Sequence, residues 1–506
     1  MLAVMLAAGC SGDPEAPAPA GASSGSSGTL AEGTTGAGGS SGASGLDSSS
    51  GDTGGSSSAG SGSTGGGIEP AVLEEGELRP GGDTTVDEIG VTAFLQRAGN
   101  LLPIHSPDFE SGLQFFRLIW EPAPGQAELD GLGPTYNAVS CIACHASNGR
   151  GPVPSRADPW APGILLRLGS AGVQPDPNYG AQLQPLAIAG VPAEGSVGWV
   201  DDEPREVTLA DGTMLALHRR SYFVQGPAFG PLSDSTGISA RLTPHLVGMG
   251  LLEAIEADDV VALADPEDRD RDGISGRAAW LDPQTLGRFG WKASQSTVEG
   301  QSAAAFAGDL GITSAQHPAV DCPAIQVECA AAPGGGSPEI SPTRMRLTGA
   351  YVRLLGVPRR RDGDDLDVRR GKSLFLQVGC ADCHHPSFVT GVTGVPGTPG
   401  EALESELSSQ RIWPYTDLLL HDMGEGLADP VDEGVAAGPE WRTPPLWGLG
   451  LVEVVNGTRA MLHDGRAATL AEAISWHDGE ARASRLAYEA LSATERALLH
   501  RFVDSL

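Results

Sequence analysis

Two five-residue segments constrain this chain more than anything else in it. Cys141-Ile142-Ala143-Cys144-His145 and Cys380-Ala381-Asp382-Cys383-His384 both read C-x-x-C-H. At this spacing two thiols can add across the two vinyl groups of one haem, and the adjacent imidazole reaches the iron as proximal ligand. Paired C-x-x-C segments also build zinc ribbons. Zinc does not need a histidine directly after each pair, however, and these pairs stand far apart in the chain. Two covalently attached haems are therefore expected, with His145 and His384 on the irons. His385 cannot reach the same iron face as His384 and is expected at the surface or on the propionate side.

Three cysteines remain: Cys10, Cys322 and Cys329. The last two lie close together in a Pro/Gly/Ala-rich loop, where a disulfide is expected and a free pair is the alternative. Leu6-Ala7-Ala8-Gly9-Cys10 is similar to a lipoprotein cleavage site, although Ala7 stands where a large aliphatic residue is usual and no basic residue precedes it. Residues 1–10 are thus read as a lipoprotein-type signal with Cys10 as lipid anchor; the alternative is a stray cysteine in a tail. Residues 11–85 open with a long run of Gly, Ser, Ala, Thr and Pro that cannot bury enough apolar surface to order, and are read as a disordered tether. Attachment of haem to C-x-x-C-H takes place outside the cytoplasmic membrane, where disulfides persist. The expected location is the periplasm or cell envelope. No apolar run reaches 18 residues, so contact with a membrane is expected only through the anchor.

The 64 acidic residues outnumber the 32 basic ones, for a formal charge of −32. That balance excludes nucleic acid as a partner class. It suits a soluble exported chain and a basic redox partner.

Along the chain, Asp87 to Leu102 carries apolar residues near helical spacing. Asn148-Gly149-Arg150-Gly151 follows the first motif and reads as a tight loop against the haem edge, with Arg150 expected to pair with a propionate; the alternative is an ordinary turn. Between Gly180 and Val224 the pattern turns to short strands, with a hairpin expected at Asp211-Gly212. Arg241 to Leu263 reads as helix. Asp268, Asp270 and Asp272, followed by Gly273, match the first half of a calcium loop, but Ala279 holds the twelfth position, where Glu would complete it. The bland alternative is a solvated acidic loop. Gly371 to Phe375 reads as a helix ahead of the second motif, and Ala481 to Leu506 as one amphipathic terminal helix. The expected fold is mainly α: a first cytochrome c-like haem domain over residues 86–346, with a small β-rich insertion, and a second over 347–506.

A short internal repeat supports duplication. Aligning Trp291 with His463 places Thr297 on Thr469, each a candidate N-cap six residues on. His477 then stands fourteen residues after His463, and Ala305 holds the matching place in the first copy. An imidazole can close an iron's sixth position and a methyl group cannot.

These motifs, together with further segments, carry a family likeness. The segments are Gly250-Leu251-Leu252-Glu253-Ala254-Ile255, Arg288-Phe289-Gly290-Trp291-Lys292-Ala293, Tyr415 through Gly424, Trp441-Arg442-Thr443-Pro444-Pro445-Leu446-Trp447, and Leu462 through His477. Over about Asp87 to Leu506 the chain resembles the bacterial di-haem thiol-oxidoreductase-like proteins, a family of putative peroxidases distantly similar to di-haem cytochrome c peroxidases. The resemblance implies that the first haem is a peroxide site and that the second passes electrons to it. It implies His477 as distal ligand of the second haem, at a position where the peroxidases usually carry Met; a His/His pair lowers the potential. It also implies Gln301 as a distal glutamine. The relatives' catalytic Glu has no clean counterpart: Gly311 falls at its offset and Asp309 is a neighbour. Their switchable histidine after the first motif is absent, since the next histidine is His218.

Three functions follow. In the first, a small oxidant such as peroxide meets an open first haem, Gln301, Lys292 or Asp309 steers protons, and a redox partner protein or electron carrier feeds the second haem. In the second, the chain only carries electrons, with His218, His245 or Met249 closing the first iron. In the third it binds or delivers a metal. His105, His317 and His500 are expected at the surface, and His421 and Met423 as packing or hydrogen-bonding residues near the second haem.

Overall fold

The computed structural model describes residues 67–126, 129–155, 161–396 and 400–506. The signal segment, Cys10 and the tether up to residue 66 lie outside them. Gly66–Leu506 forms one compact unit. Residues 68–85, read above as tether, lie against this body: Ser373 Oγ donates to Glu69 O, Ala71 N donates to Arg369 O, and Glu77 is fully buried.

The expectation of a mainly α fold is corrected. The chain is 28% helical with 18% strand, a mixed α/β structure with eight two-stranded sheets among the described residues. Part of the cause lies in the glycines and prolines spread through the body, which cut helical periodicity into short pieces. Asp87 to Leu102 keeps only a 3-10 turn, Ala93–Leu95. Its backbone is used elsewhere, with Val86 N donating to Val357 O and Ala98 N to Leu354 O. Arg241 to Leu263 divides into the end of strand Gly237–Leu242 and two five-residue helices, Met249–Glu253 and Ala257–Val261. The terminal helix breaks into Arg482–Glu489 and Ala493–Ser505, the second opened by a capping box of Ser492 and Glu495. Leu486, in the first of these, is 48% exposed. The hairpin at Asp211-Gly212 forms, joining Arg205–Thr208 to Met214–Leu217.

Helices nonetheless frame both motifs in the same way. Ser106–Arg117 packs on Pro342–Arg353, and Leu366–Gln377 packs on Ala493–Ser505. Each crossing is close because a glycine stands in it: a Cβ on Gly112 would lie 2.1 Å from Leu347 O, and one on Gly371 would lie 2.0 Å from Leu498 O. Four residues on, Phe116 meets Tyr351 at 5.2 Å between ring centroids, and Phe375 meets Phe502 at 5.1 Å. Each phenylalanine also faces the histidine of its motif, His145 at 6.2 Å and His384 at 6.4 Å.

A longer repeat ties the two frames together. Thr243-Pro244-His245-Leu246-Val247-Gly248-Met249-Gly250-Leu251-Leu252-Glu253 recurs as Thr443-Pro444-Pro445-Leu446-Trp447-Gly448-Leu449-Gly450-Leu451-Val452-Glu453. The copies face each other. Gly248 packs against Trp447 and Gly448 against Val247, both glycines at φ +74°. Leu242 N donates to His463 O at 2.6 Å, and Arg442 N donates to Trp291 O at 2.9 Å. The pairing of Trp291 with His463 is thereby reproduced in space. The largest apolar cluster draws on both copies, from Phe94, Val247 and Tyr351 to Phe375, Trp447 and Phe502.

Gly248→Ala is expected to cost more than Gly212→Ala. Both glycines have positive φ, worth about 1 kcal/mol for an alanine. A Cβ on Gly248 would stand 2.3 Å from buried Trp447, whereas nothing lies within 4 Å of one on Gly212. Overpacking should add about 1–3 kcal/mol at Gly248 alone. Denaturant unfolding of the two variants measures the difference.

Candidate functional site

The first motif begins on the one-turn helix Cys141–Cys144. His145 Nδ1 donates to Pro244 O at 3.0 Å, and Cys144 Sγ donates to Pro162 O at 2.8 Å. In the second motif His384 Nδ1 donates to Tyr415 O at 3.0 Å. A carbonyl on Nδ1 fixes the tautomer and leaves the Nε2 lone pair free, as an iron ligand requires. Burial pushes both imidazoles down to about 4, so each is neutral.

Cys380, Cys383 and His384 line a cavity of about 190 Å³, mostly apolar, and His477 stands in the same wall. His477 is the residue that ends helix Leu470–Trp476. Thr469 caps the start of that helix by accepting from Glu472 N, and the hairpin ending at Leu217 packs on its flank. His477 Nδ1 donates to Ala473 O at 2.7 Å, so its Nε2 is also free. Burial lowers its pKa as well. In the first copy Thr297 caps helix Val298–Leu310 in the same way, and Ala305 stands at His477's offset from the cap.

Arg150 and Arg442 line this cavity too. Both are buried. Arg150 reaches Ala460 O and Leu462 O, and Arg442 reaches Gly290 O and Thr443 O. Among the described residues neither is ion-paired with a carboxylate, and Arg150 Nε is buried without a partner. Burial pulls both guanidinium values down to about 10. Two buried cations without a counterion call for an anionic ligand. With two thiols, a free neutral imidazole and an apolar lining, they fit a haem whose propionates would face the arginines. Arg150 comes from the loop behind the first motif, yet it lines the second motif's cavity.

The three residues expected to steer protons do not converge. Gln301 and Asp309 share helix Val298–Leu310 but are separated by eight residues, about 12 Å along the axis. Gln301 Oε1 lies beside Gly290. Asp309 accepts from Gln182 Nε2 at 2.9 Å; burial raises its pKa, and its charge acts on both Cys141 and Cys144. It therefore belongs to the first motif. Lys292 is fully buried, with its three donors on Ala437 O, Gly438 O and Glu440 O at 2.7, 2.8 and 2.9 Å. It clamps that segment and sits 4.2 Å above the Trp441 ring.

Sequence reasoning missed the group around His421. This imidazole is held on both sides, Nε2 by Asp417 at 2.8 Å and Nδ1 by Glu480 at 2.7 Å, and lies 3.8 Å from Cys383 Sγ. Burial alone would lower its pKa; the hydrogen bonds from Asp417, Cys383 and Glu480 outweigh burial and hold it well above the usual histidine range. Asp417 is visible as an i, i+4 neighbour, but no spacing links Glu480. His463 was used only as an alignment anchor. It lines the cavity, stacked on Trp441 at 3.8 Å, and is kept neutral by burial and by nearby Arg466 and Arg241.

Elsewhere, Asp268, Asp270 and Asp272 bring carboxylate oxygens within 4.8 Å of one another. Asp270 and Asp272 also lie near Asp382 of the second motif, whose pKa rises through burial and their charge. Cys322 and Cys329 are disulfide-bonded. His385 packs on Phe388, His105 pairs with Glu406, and His500 meets Tyr488. His218 is exposed, while His245 is buried, with Nε2 on Trp447 O at 3.1 Å.

Fold and site together describe a haem oxidoreductase built by duplication. The chain belongs to the family described as di-haem oxidoreductase, putative peroxidase, whose model matches residues 77–160 and 194–506. No curated protein matches it. Among solved structures, the chain is similar to hydrazine synthase of Kuenenia stuttgartiensis, pressurised with 20 bar xenon. The identity is 13%, over 90% of this chain and 100% of that one. The TM-score of 0.34 is too low to define a shared fold.

His421→Gln should destabilise the protein by about 3–5 kcal/mol, as for one partner lost from a buried ion pair. The folded pKa is raised, so the contribution is complete below about pH 6 and is lost as pH climbs through the raised value. The gap between wild type and variant should be widest in mild acid and narrow above neutral pH. Chemical denaturation across that range checks it.

Proposed function

We propose that this chain is an exported di-haem c-type cytochrome that works as a peroxidase-like oxidoreductase. Haem held by thioethers at each motif would supply one-electron chemistry, the second site passing electrons to a small oxidant such as peroxide at the first. One observation carries the reading: His477 shares a cavity with His384, whereas Ala305 takes the equivalent place in the first copy. The chain's own residues divide the work. His384 and His477 offer two neutral imidazoles at one site. Arg150 and Arg442 would balance the propionates of a haem at the second motif. Asp309, its pKa raised by burial, takes up a proton more readily than an ordinary Asp beside Cys141 and Cys144, and Gln301 offers its amide from the same helix beside Gly290. Lys292, with every donor engaged, positions the segment around Trp441. A redox partner protein of basic surface fits the charge of −32.

Export is supported by the Cys322–Cys329 disulfide. Lipid anchorage at Cys10, and hence a periplasmic or envelope location, rests on the sequence around it. We also propose calcium at Asp268, Asp270 and Asp272, where a cation would offset the repulsion that extends to Asp382. Added calcium should raise the melting temperature, and Asp270→Asn with Asp272→Asn should remove the gain; a melting temperature indifferent to calcium would refute the site.

A competing reading, an electron carrier with both irons closed, is favoured by His245, whose Nδ1 is buried without a partner. Low-temperature EPR of the oxidised, haem-loaded protein separates the two. The proposal expects one high-spin and one low-spin ferric signal, with His477→Ala converting the low-spin one. Two low-spin ferric signals from the oxidised protein, with no five-coordinate ferrous haem in the absorption spectrum on reduction, would sink the peroxidase reading, and loss of one signal in His245→Ala would identify the carrier's ligand.

A further inference from the structure

The two motif histidines hang from carbonyls of different kinds. His145 donates to Pro244 O, on a residue whose side chain has no polar atom. His384 donates to the carbonyl of Tyr415. Tyr415 is 1% exposed and stands at φ +54°, in the left-handed region that a bulky side chain avoids. Such a backbone persists only where its surroundings over-determine it.

The surroundings here are specific. The Tyr415 hydroxyl donates to Glu77 Oε1 at 2.9 Å, and its ring is met edge-on by Phe375 at 5.8 Å and Phe502 at 5.6 Å. Glu77 has no exposed surface. Its carboxylate is ion-paired with Arg360 and with Lys372 Nζ, the latter at 2.8 Å. It also accepts from Glu74 N at 3.0 Å. The carboxylate therefore cannot rotate away from the hydroxyl without breaking its pair with buried Arg360 and one of the two carboxylate contacts of Lys372, whose other is Glu74 at 3.1 Å. An unbroken run of contacts leads from Arg360 and Lys372 through Glu77 and the Tyr415 ring to the carbonyl that holds His384.

We infer that Glu77 and Tyr415 form a positioning device for His384, which sets the hydrogen bond on Nδ1 and through it the reduction potential at the second motif. The physical link is the acceptor. A carbonyl held in line with Nδ1–H makes the imidazole a stronger electron donor, which favours the oxidised metal. Release of the hydroxyl lets the left-handed Tyr415 relax and swings its carbonyl off that line. The first motif has no such device, because Pro244 offers nothing to grip. Glu77 and Tyr415 touch neither cavity nor thiols; they act through His384 and are positioning residues. The inference rests on the proposed binding of haem iron by His384.

The test uses the haem-loaded full chain, with both midpoint potentials read by spectroelectrochemistry and the low-spin signal by EPR. Tyr415→Phe keeps the ring and removes only the hydroxyl. It should raise the second site's potential by at least a threefold shift in the redox equilibrium, about 28 mV for one electron. Its low-spin g-values should move, and the first site's potential should not. Glu77→Asp keeps a negative charge between Arg360 and Lys372 but draws the carboxylate back from the hydroxyl, and should act in the same direction; it decides the matter if Tyr415→Phe loses haem. An unchanged second potential and unchanged g-values in a haem-loaded variant overturn the inference, as does an equal shift at both sites. A wild-type low-spin signal that survives His384→Ala would instead overturn the underlying assignment of the ligand, whatever Tyr415 does.

Discussion

Two crossed backbone hydrogen bonds hold the site together. Leu242 N reaches His463 O and Arg442 N reaches Trp291 O, so each copy of the repeat closes on the other. Trp291 adds a third link, its Nε1 donating to Leu242 O at 2.8 Å. The cavity wall is made at this crossing: Trp291, Trp441, Arg442 and His463 all face it, and none of the four comes from the segment that carries the thiols beneath. Neither copy could form that wall alone. The positive-φ glycines Gly248 and Gly448 serve the same closure, since side chains there would push the copies apart.

The crossing concentrates positive charge inside an acidic protein. Arg150, Arg241, Lys292 and Arg442 are all buried near it, in a chain whose formal charge is −32. Desolvating a cation costs several kcal/mol unless something offsets it. Arg241 is offset by Asp429 at 2.5 Å, and Lys292 by three carbonyls. The Trp441 ring takes both cations over it, Lys292 at 4.2 Å and Arg241 at 4.5 Å, and stacks on neutral His463. Arg150 and Arg442 have carbonyls, and Arg150 also the Trp291 ring at 5.8 Å, but neither has a carboxylate among the described residues. Their position in the cavity wall makes an anionic ligand the missing term.

What the sequence made legible was chemistry that lies in short spacings. The two C-x-x-C-H motifs, the Asp211-Gly212 hairpin, the caps Thr297 and Thr469, and His477 at a fixed distance from His463 all follow from local geometry. The mainly α expectation failed because periodicity around Phe94 and Leu101 was read as helix, where the backbone in fact pairs with residues 354–357. That choice is made by partners more than 250 residues away. The repeat beginning at Thr243 and Thr443 was present in the sequence and went unused; it would have identified the crossing and the place of Arg442. Glu77 and Glu480 were not legible at all, because each acts on a residue far along the chain through a buried carboxylate.

Duplication supplies the frame, and divergence within it supplies the difference between the two sites. The frame is matched almost residue for residue: Gly112 with Gly371, Phe116 with Phe375, Gly248 with Gly448, Thr297 with Thr469. The departures fall where a ligand or its support would stand. Ala305 faces His477 in the alignment, Trp291 faces His463, and His145 hangs from the carbonyl of Pro244 in the repeat whereas His384 hangs from Tyr415, outside it. Helix Val298–Leu310 runs on past the position at which helix Leu470–Trp476 stops to present His477. Packing alone gives no reason for the two copies to differ at these places and agree elsewhere. The division of labour proposed above, between an electron-storing site and a reacting site, would supply one.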